Sequence, residues 1–207
     1  MQAATQHFNL CVLYNNQWEK KGCNILKELT ELIERLSSER PVDWDSLPDI
    51  ELYRDQVLGY MKRQHSLQPE DAQLTGAMIN NYIKSGLLPR ASGKKYTKDH
   101  LVYLTAICSL KQVLSVGETD ALLKLQPNIA DVQGFYEEYL LTMEEAFRET
   151  AGRLEEENSR EQLAATALQL AISSYAHKLA CEKILELLKE KKPPAKAKQS
   201  KKAGSIE

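Results

Sequence analysis

The chain has 207 residues, with 27 lysines and arginines against 29 aspartates and glutamates and a formal net charge of −2. That length suits one sizeable domain or two small ones, and 43% apolar with 27% charged residues is ordinary for a soluble globular protein. No apolar run approaches the ~18 residues of a membrane span. The N-terminus has no basic stretch leading into an apolar one, as a secretory signal has, so a cytoplasmic protein is expected. Cys11, Cys23, Cys108 and Cys181 lie far apart, as do His7, His65, His100 and His177. Such scatter predicts reduced thiols and no metal site.

Met1 to Cys23 reads as a poorly ordered extension, with Phe8 to Tyr14 its one apolar run and an upstream start codon as its expected origin. N-terminal sequencing of the native protein tests this, since a mature start at Met1 sinks it. Residues 24–48 read as a helix and a loop. Asn24 can cap the helix, and Leu26, Leu29, Ile33 and Leu36 make an amphipathic stripe to about Ser38. Trp44 is expected to anchor the loop on the core. A second helix is predicted to open at Asp49 and run through Leu52, Tyr53, Val57, Tyr60 and Met61. Lys62 to His65 would close it with charge that suits a helix C-terminus.

Leu74 to Pro89 reads as one short, well-marked helix. Thr75 can serve as N-cap. Gly86 sits where a left-handed residue ends a helix, and Pro89 prevents its resumption. At about 100° per residue, Met78, Ile79, Tyr82 and Ile83 fall within one arc of roughly 140°. Gly76, Ala77, Asn80, Asn81 and Lys84 fall opposite. Small residues admit close approach to a groove, Asn can pair bidentately with adenine, and Lys can reach phosphate or guanine. Arg90 to Lys98 follows as a loop or hairpin tip marked by Ser92-Gly93. Between Ala72 and Lys98 stand five basic residues (Lys84, Arg90, Lys94, Lys95, Lys98) and no acid, a local inversion of the chain's charge. Basic charge on a helix and the adjacent loop suits a winged helix-turn-helix.

Thr97 is expected to cap a fourth helix through about Leu114, broadly buried through Leu101, Leu104, Ile107, Cys108, Leu110 and Val113. Ser115 and Glu118 have capping-box spacing for a short helix from Val116 to Leu125. Residues 49–126 thus form one domain, bounded at Pro127. Residues 127–191 predict a long helical hairpin for dimerisation or regulation, with a break between Gly152 and Ser159. Leu163, Leu168, Ala171, Tyr175, Leu179, Ile184 and Leu188 line its second helix, from about Arg160 to Lys191. Residues 192–207 read as a disordered basic tail.

Met78-Ile79-Asn80-Asn81-Tyr82-Ile83-Lys84-Ser85-Gly86-Leu87-Leu88-Pro89 followed by Lys95-Tyr96-Thr97-Lys98-Asp99-His100-Leu101 resembles the DNA-binding domain of MerR-type regulators. Leu47 to Ile50 (Leu-Pro-Asp-Ile), Met78 to Tyr82 (Met-Ile-Asn-Asn-Tyr) and Lys94 to Tyr96 (Lys-Lys-Tyr) resemble an uncharacterised bacterial family known as domain of unknown function 1836. The likeness covers about Trp44 to Leu125. It implies a mainly α protein with a MerR-like winged helix-turn-helix and a two-half-site homodimer. MerR-type proteins usually carry Arg-Tyr where Asn80 and Asn81 stand, so their base contacts do not carry over unchanged. The connection before the Leu74 helix is also longer than the usual turn.

The expected function is a DNA-binding transcription regulator acting on double-stranded DNA. Asn80, Asn81 and Lys84 would face the groove, Thr75 and Gly76 would lie near the backbone, and Arg90, Lys94 and Lys95 would make wing contacts. Tyr82 and Tyr96 are expected in the core. The competing expectation is a non-enzymatic adaptor with a helical docking surface. No Gly-rich phosphate loop, metal spacing or nucleophile motif points to an enzyme or a cofactor.

Overall fold

The computed structural model describes residues 25, 27–126, 129–155 and 159–189. The expected extension over Met1–Cys23, the boundary residue Pro127 and the basic tail lie outside the described residues. The described chain is mainly helical. Helix α1 spans 27–38. A 3-10 turn Trp44–Ser46, strand β1 (Leu52–Tyr53), helix α2 (Arg54–Gln64) and a 3-10 turn Glu70–Ala72 follow. Then come α3 (Gly76–Ser85), β2 (Lys95–Tyr96), α4 (Lys98–Leu110), α5 (Val116–Lys124), α6 (Val132–Glu155) and α7 (Arg160–Leu188). Among the described residues, no helix is long and apolar enough to cross a membrane.

The helix expected to open at Asp49 opens instead at Arg54. Leu52 and Tyr53 are drawn into β1, antiparallel to β2, with Leu52 opposite Tyr96 and Tyr53 opposite Lys95. Leu52 is buried and Tyr53 exposed, the alternation of a strand. Tyr53 then stands at the N-cap, its backbone N–H donating to Gln56 Oε1 at 2.9 Å. The long connection from α2 to α3 is bridged by the 3-10 turn Glu70–Ala72.

The core is built around α4. Leu101, Val102, Leu104, Ala106 and Ile107 are fully buried in it, joined by Val57 and Met61 of α2, Ile79 and Tyr82 of α3, and Phe135, Tyr136 and Leu140 of α6. The Tyr136 hydroxyl donates to the Val42 carbonyl at 2.7 Å, and its ring lies 6.4 Å from that of Trp44, so the loop before β1 is anchored as expected. Helix α4 stops at Leu110 rather than about Leu114. The last turn tightens, with Gln112 N–H bonding the Ser109 carbonyl and Val113 N–H the Leu110 carbonyl. This rotates Val113, expected in the core, out to 50% exposure. Helix α5 opens on the expected capping box: Ser115 N–H donates to Glu118 Oε2 at 2.8 Å, and Glu118 N–H to Ser115 Oγ at 3.3 Å.

The two long helices fold back on the helices before them, α6 against α4 and the Trp44 turn, α7 against α5. Only some of the apolar residues expected to line α7 face the molecule, with Leu163 half-buried and Ile184 and Leu188 beside Leu122 and Leu125 at the end of α5. Leu168, Tyr175, Leu179, Ile184 and Leu188 are all exposed, while Thr166 and Leu185 are buried and Leu163 and Leu170 half-buried. Both sides of α7 are apolar, so periodicity alone could not choose between them.

Candidate nucleic-acid interface

Helix α3 is fixed at both ends. Thr75 Oγ1 accepts a bond from Met78 N–H at 3.2 Å, satisfying one of the first-turn donors. Gly86 closes the helix at φ +80°, its N–H bonding the Ile83 carbonyl, a conformation that glycine adopts without a Cβ clash. Ile79 and Tyr82 are buried, with Met78 and Ile83 packed at the edge of the core. Ala77, Asn80, Asn81 and Lys84 are exposed. The core thus takes one side of α3 and leaves the amides and the lysine on the other.

The loop after α3 is tied down from two sides. Leu87 and Leu88 are buried. His100 Nδ1 accepts from the Thr97 backbone N–H at 3.1 Å, which places the imidazole proton on Nε2. Burial holds the ring's pKa below its ordinary value, opposed by the neighbouring backbone of Arg90, the carboxylate of Asp99 and the backbone of Pro89. A side chain of α4 therefore packs beneath the start of the loop. Its tip is a tight hairpin. Ser92 bridges Lys95, and both central residues have positive φ, Gly93 at 57° and Lys94 at 67°. Two successive left-handed residues make the primed turn that suits the twist of a hairpin.

An open cleft of about 540 Å³ lies between α3, this loop and the start of α2. Asn80, Arg90 and Lys94 line it together, with Ile83, Ala91 and Tyr96. Three of the expected site residues thus share one concavity. Asn81 and Lys84 are exposed on α3 but do not line this cleft. Thr75 is the cap, and Gly76 lies beneath Arg54, where a Cβ would meet the Arg54 Cδ and Nε at 3.5 Å. Lys95 is less available than expected. It is half-buried, its Nζ lies 3.6 Å from a Glu51 carboxylate oxygen and 5.8 Å from the Tyr53 ring centre. Lys98 is similarly committed, 2.9 Å from Asp49 and over the Trp44 ring. Among the described residues, Lys84, Arg90 and Lys94 have no ion-pair partner.

Sequence reasoning missed Tyr53 and Arg54, which complete the cleft wall beside Asp55. Arg54 approaches Asp55 only at 4.0 Å, and both side chains are largely exposed. A cation in the first turn of a helix opposes the macrodipole, and that local mismatch was a usable signal. It was hidden because the helix was expected to begin five residues earlier. The arrangement offers amide donors and acceptors on a helix fixed to the core, flanked by exposed cations.

Residues 42–139 match the family described as Domain of unknown function (DUF1836). The matched span runs from the loop before β1 into the first third of α6 and contains the whole cleft. It also contains the stretch whose motifs resemble that family. No curated protein and no solved structure matches the chain.

Proposed function

We propose that this chain is a transcription regulator that reads double-stranded DNA with a MerR-like winged helix-turn-helix formed by β1, α2, α3, β2 and α4. Helix α3 enters the major groove, with Asn80 and Asn81 toward base edges and Lys84 toward the backbone. The hairpin tip acts as the wing, placing Arg90 and Lys94 on phosphates, and Arg54 joins them from α2. The reading rests chiefly on one observation: the solvent side of α3 and the cleft beside it carry Asn80, Asn81, Lys84, Arg90 and Lys94 in a stretch with no acidic residue from Ala72 to Lys98. The order strand, helix, helix, hairpin, helix supports it. The long bridge at Glu70–Ala72 departs from the usual three- to four-residue turn, so the two helices are joined differently from a simple helix-turn-helix. A regulator of this kind needs no cofactor and works in the cytoplasm.

The test is a salt titration of binding to DNA from upstream of the protein's own gene, against a scrambled duplex of equal length. Full-length protein is compared with a form ending at Lys191. Specific binding that survives loss of the tail supports the reading. Weak, sequence-blind binding lost with the tail leaves only electrostatic attraction. Absence of binding to any DNA overturns the reading and turns attention to an adaptor that uses the same cations on an acidic protein.

A further inference from the structure

The connection from α2 to α3 meets the ends of α1 and α4 and the middle of α6 around a cavity of about 270 Å³. Pro41, Leu67, Met143 and Phe147 give it a mainly apolar lining. Protein interiors leave few voids larger than a water molecule, and an apolar space holds water poorly. At the packing density of an interior, about 0.74, this space takes a molecule of roughly 200 Å³, the bulk of two fused rings with a short substituent. The cavity shares no residue with the cleft beside α3.

Its walls are held by bonds of their own, as a pre-formed site requires. Gln64 Oε1 accepts from the Val42 N–H at 2.8 Å, and Ser109 Oγ from the Tyr139 hydroxyl at 2.8 Å. The amide nitrogens of Gln68 and Gln112 both donate to the Cys108 carbonyl, each at 3.2 Å. That leaves their two amide oxygens without a protein partner among the described residues. His65, on the same wall, has an Nε2 that is likewise unpartnered. The one charged residue of the lining, Glu39, is already neutralised. Arg35 reaches its two carboxylate oxygens at 2.9 and 3.3 Å, and the Ser66 hydroxyl donates to it as well. Those bonds, Arg35's first, hold the carboxyl below its usual range, so it stays ionised beside its guanidinium and offers a ligand no free charge.

We propose that this cavity binds an uncharged aromatic molecule of about two fused rings that carries an N–H or O–H donor. The rings lie against Phe147 and the Met143 sulfur, both of which favour aromatic neighbours. The donor bonds an amide oxygen of Gln68 or Gln112. A charged analogue has to shed its hydration where no free counter-charge replaces it, so it is rejected. The site stands apart from the DNA-binding reading, and its test uses no DNA.

The probe is tryptophol, an uncharged indole alcohol, with tryptamine and indole-3-acetate as its cationic and anionic analogues. Each is titrated into the full chain with isotope-labelled methionine methyl groups, followed by NMR. The chain has four methionines, and Met143→Leu and Met78→Leu identify the signals of the cavity and of α3. Tryptophol is expected to shift the Met143 methyl saturably, with a dissociation constant of about 1 mM or tighter, and to leave Met78 unmoved. Both charged analogues are expected to bind at least roughly tenfold more weakly. Phe147→Ala should weaken tryptophol binding by roughly tenfold, with circular dichroism as the control for folding. Gln112→Trp, at an exposed position, should block the cavity and serves as the second variant. An unmoved Met143 through the millimolar range overturns the proposal. So do a Met78 signal that follows the same curve, charged analogues that bind equally well, and binding that both variants leave unchanged.

Discussion

Acid should weaken this fold through His65 before it titrates most carboxylates. His65 follows the last residue of α2, its N–H capping the Met61 carbonyl. Its Nε2 is shut off from water and has no hydrogen-bond partner. Its Nδ1 lies 3.5 Å from the Gln68 amide nitrogen, which also donates to the Cys108 carbonyl. Burial pulls the imidazole pKa down to about 4. The unfolded chain, with an ordinary value near 6.5, therefore binds a proton more readily than the folded one. Stability from this group is fully present above about pH 6.5 and is lost as the pH falls toward 4. About 2.5 pKa units at 1.36 kcal/mol each give roughly 3 kcal/mol, a large part of a domain's typical 5–15 kcal/mol. His100, also lowered by burial, adds in the same direction. Urea unfolding followed by circular dichroism between about pH 7 and pH 4 measures the loss. Replacing His65 with Gln should flatten that decline by most of the expected amount, whatever it does to stability at neutral pH. A variant that declines as steeply as the wild type would refute the assignment to His65.

Asn80→Ala is expected to cost about 1–3 kcal/mol at one base position while sparing scrambled DNA; equal losses on both duplexes would defeat base readout by Asn80. Lys94→Ala should weaken all sequences alike and reduce the slope of log affinity against log salt by about 1. Lys95→Ala should do less than Lys94→Ala in the same titration, because Glu51 already holds Lys95; the reverse ranking would show that the pair opens on DNA. Gly86→Ala should lower stability by about 1–2 kcal/mol in urea, since φ at this position is +80° and a Cβ is disfavoured there. Thr75→Ala should cost about 1 kcal/mol by removing the bond to Met78 N–H, read by the same assay.

Much of α3 was legible because its signals are local. A cap, a left-handed glycine and a 3.6-residue apolar stripe lie within twelve consecutive residues, and all three appear where the sequence puts them. The Ser115–Glu118 box is local in the same sense. Strand β1 was not legible, because two residues carry no periodicity and Leu52 and Tyr53 become a strand only by pairing with Tyr96 and Lys95 far along the chain. That one miss displaced the start of α2 and concealed Arg54 as a wall of the cleft. The partial loss of Lys95 as an open cation was illegible for a related reason: its partner Glu51 arrives through the same strand pairing. On α7 the difficulty was an excess of signal, since residues on both sides are apolar and only the fold shows which side is left bare.

The charge distribution bears on how such a site would find its target. With Lys95 and Lys98 held by Glu51 and Asp49, the exposed cations around the cleft reduce to Lys84, Arg90, Lys94 and Arg54, in a chain whose net charge is negative. A surface of this kind cannot rely on bulk attraction to a polyanion. On the DNA-binding reading, productive encounters would be those that present the duplex to α3. Ile79 and Tyr82 fix that helix to the core, and Tyr96 and His100 fix the loop beside it. On the DNA-binding reading, the backbone that carries Asn80 and Asn81 would meet the duplex already ordered by folding. On that reading, few open cations would favour discrimination over non-specific affinity.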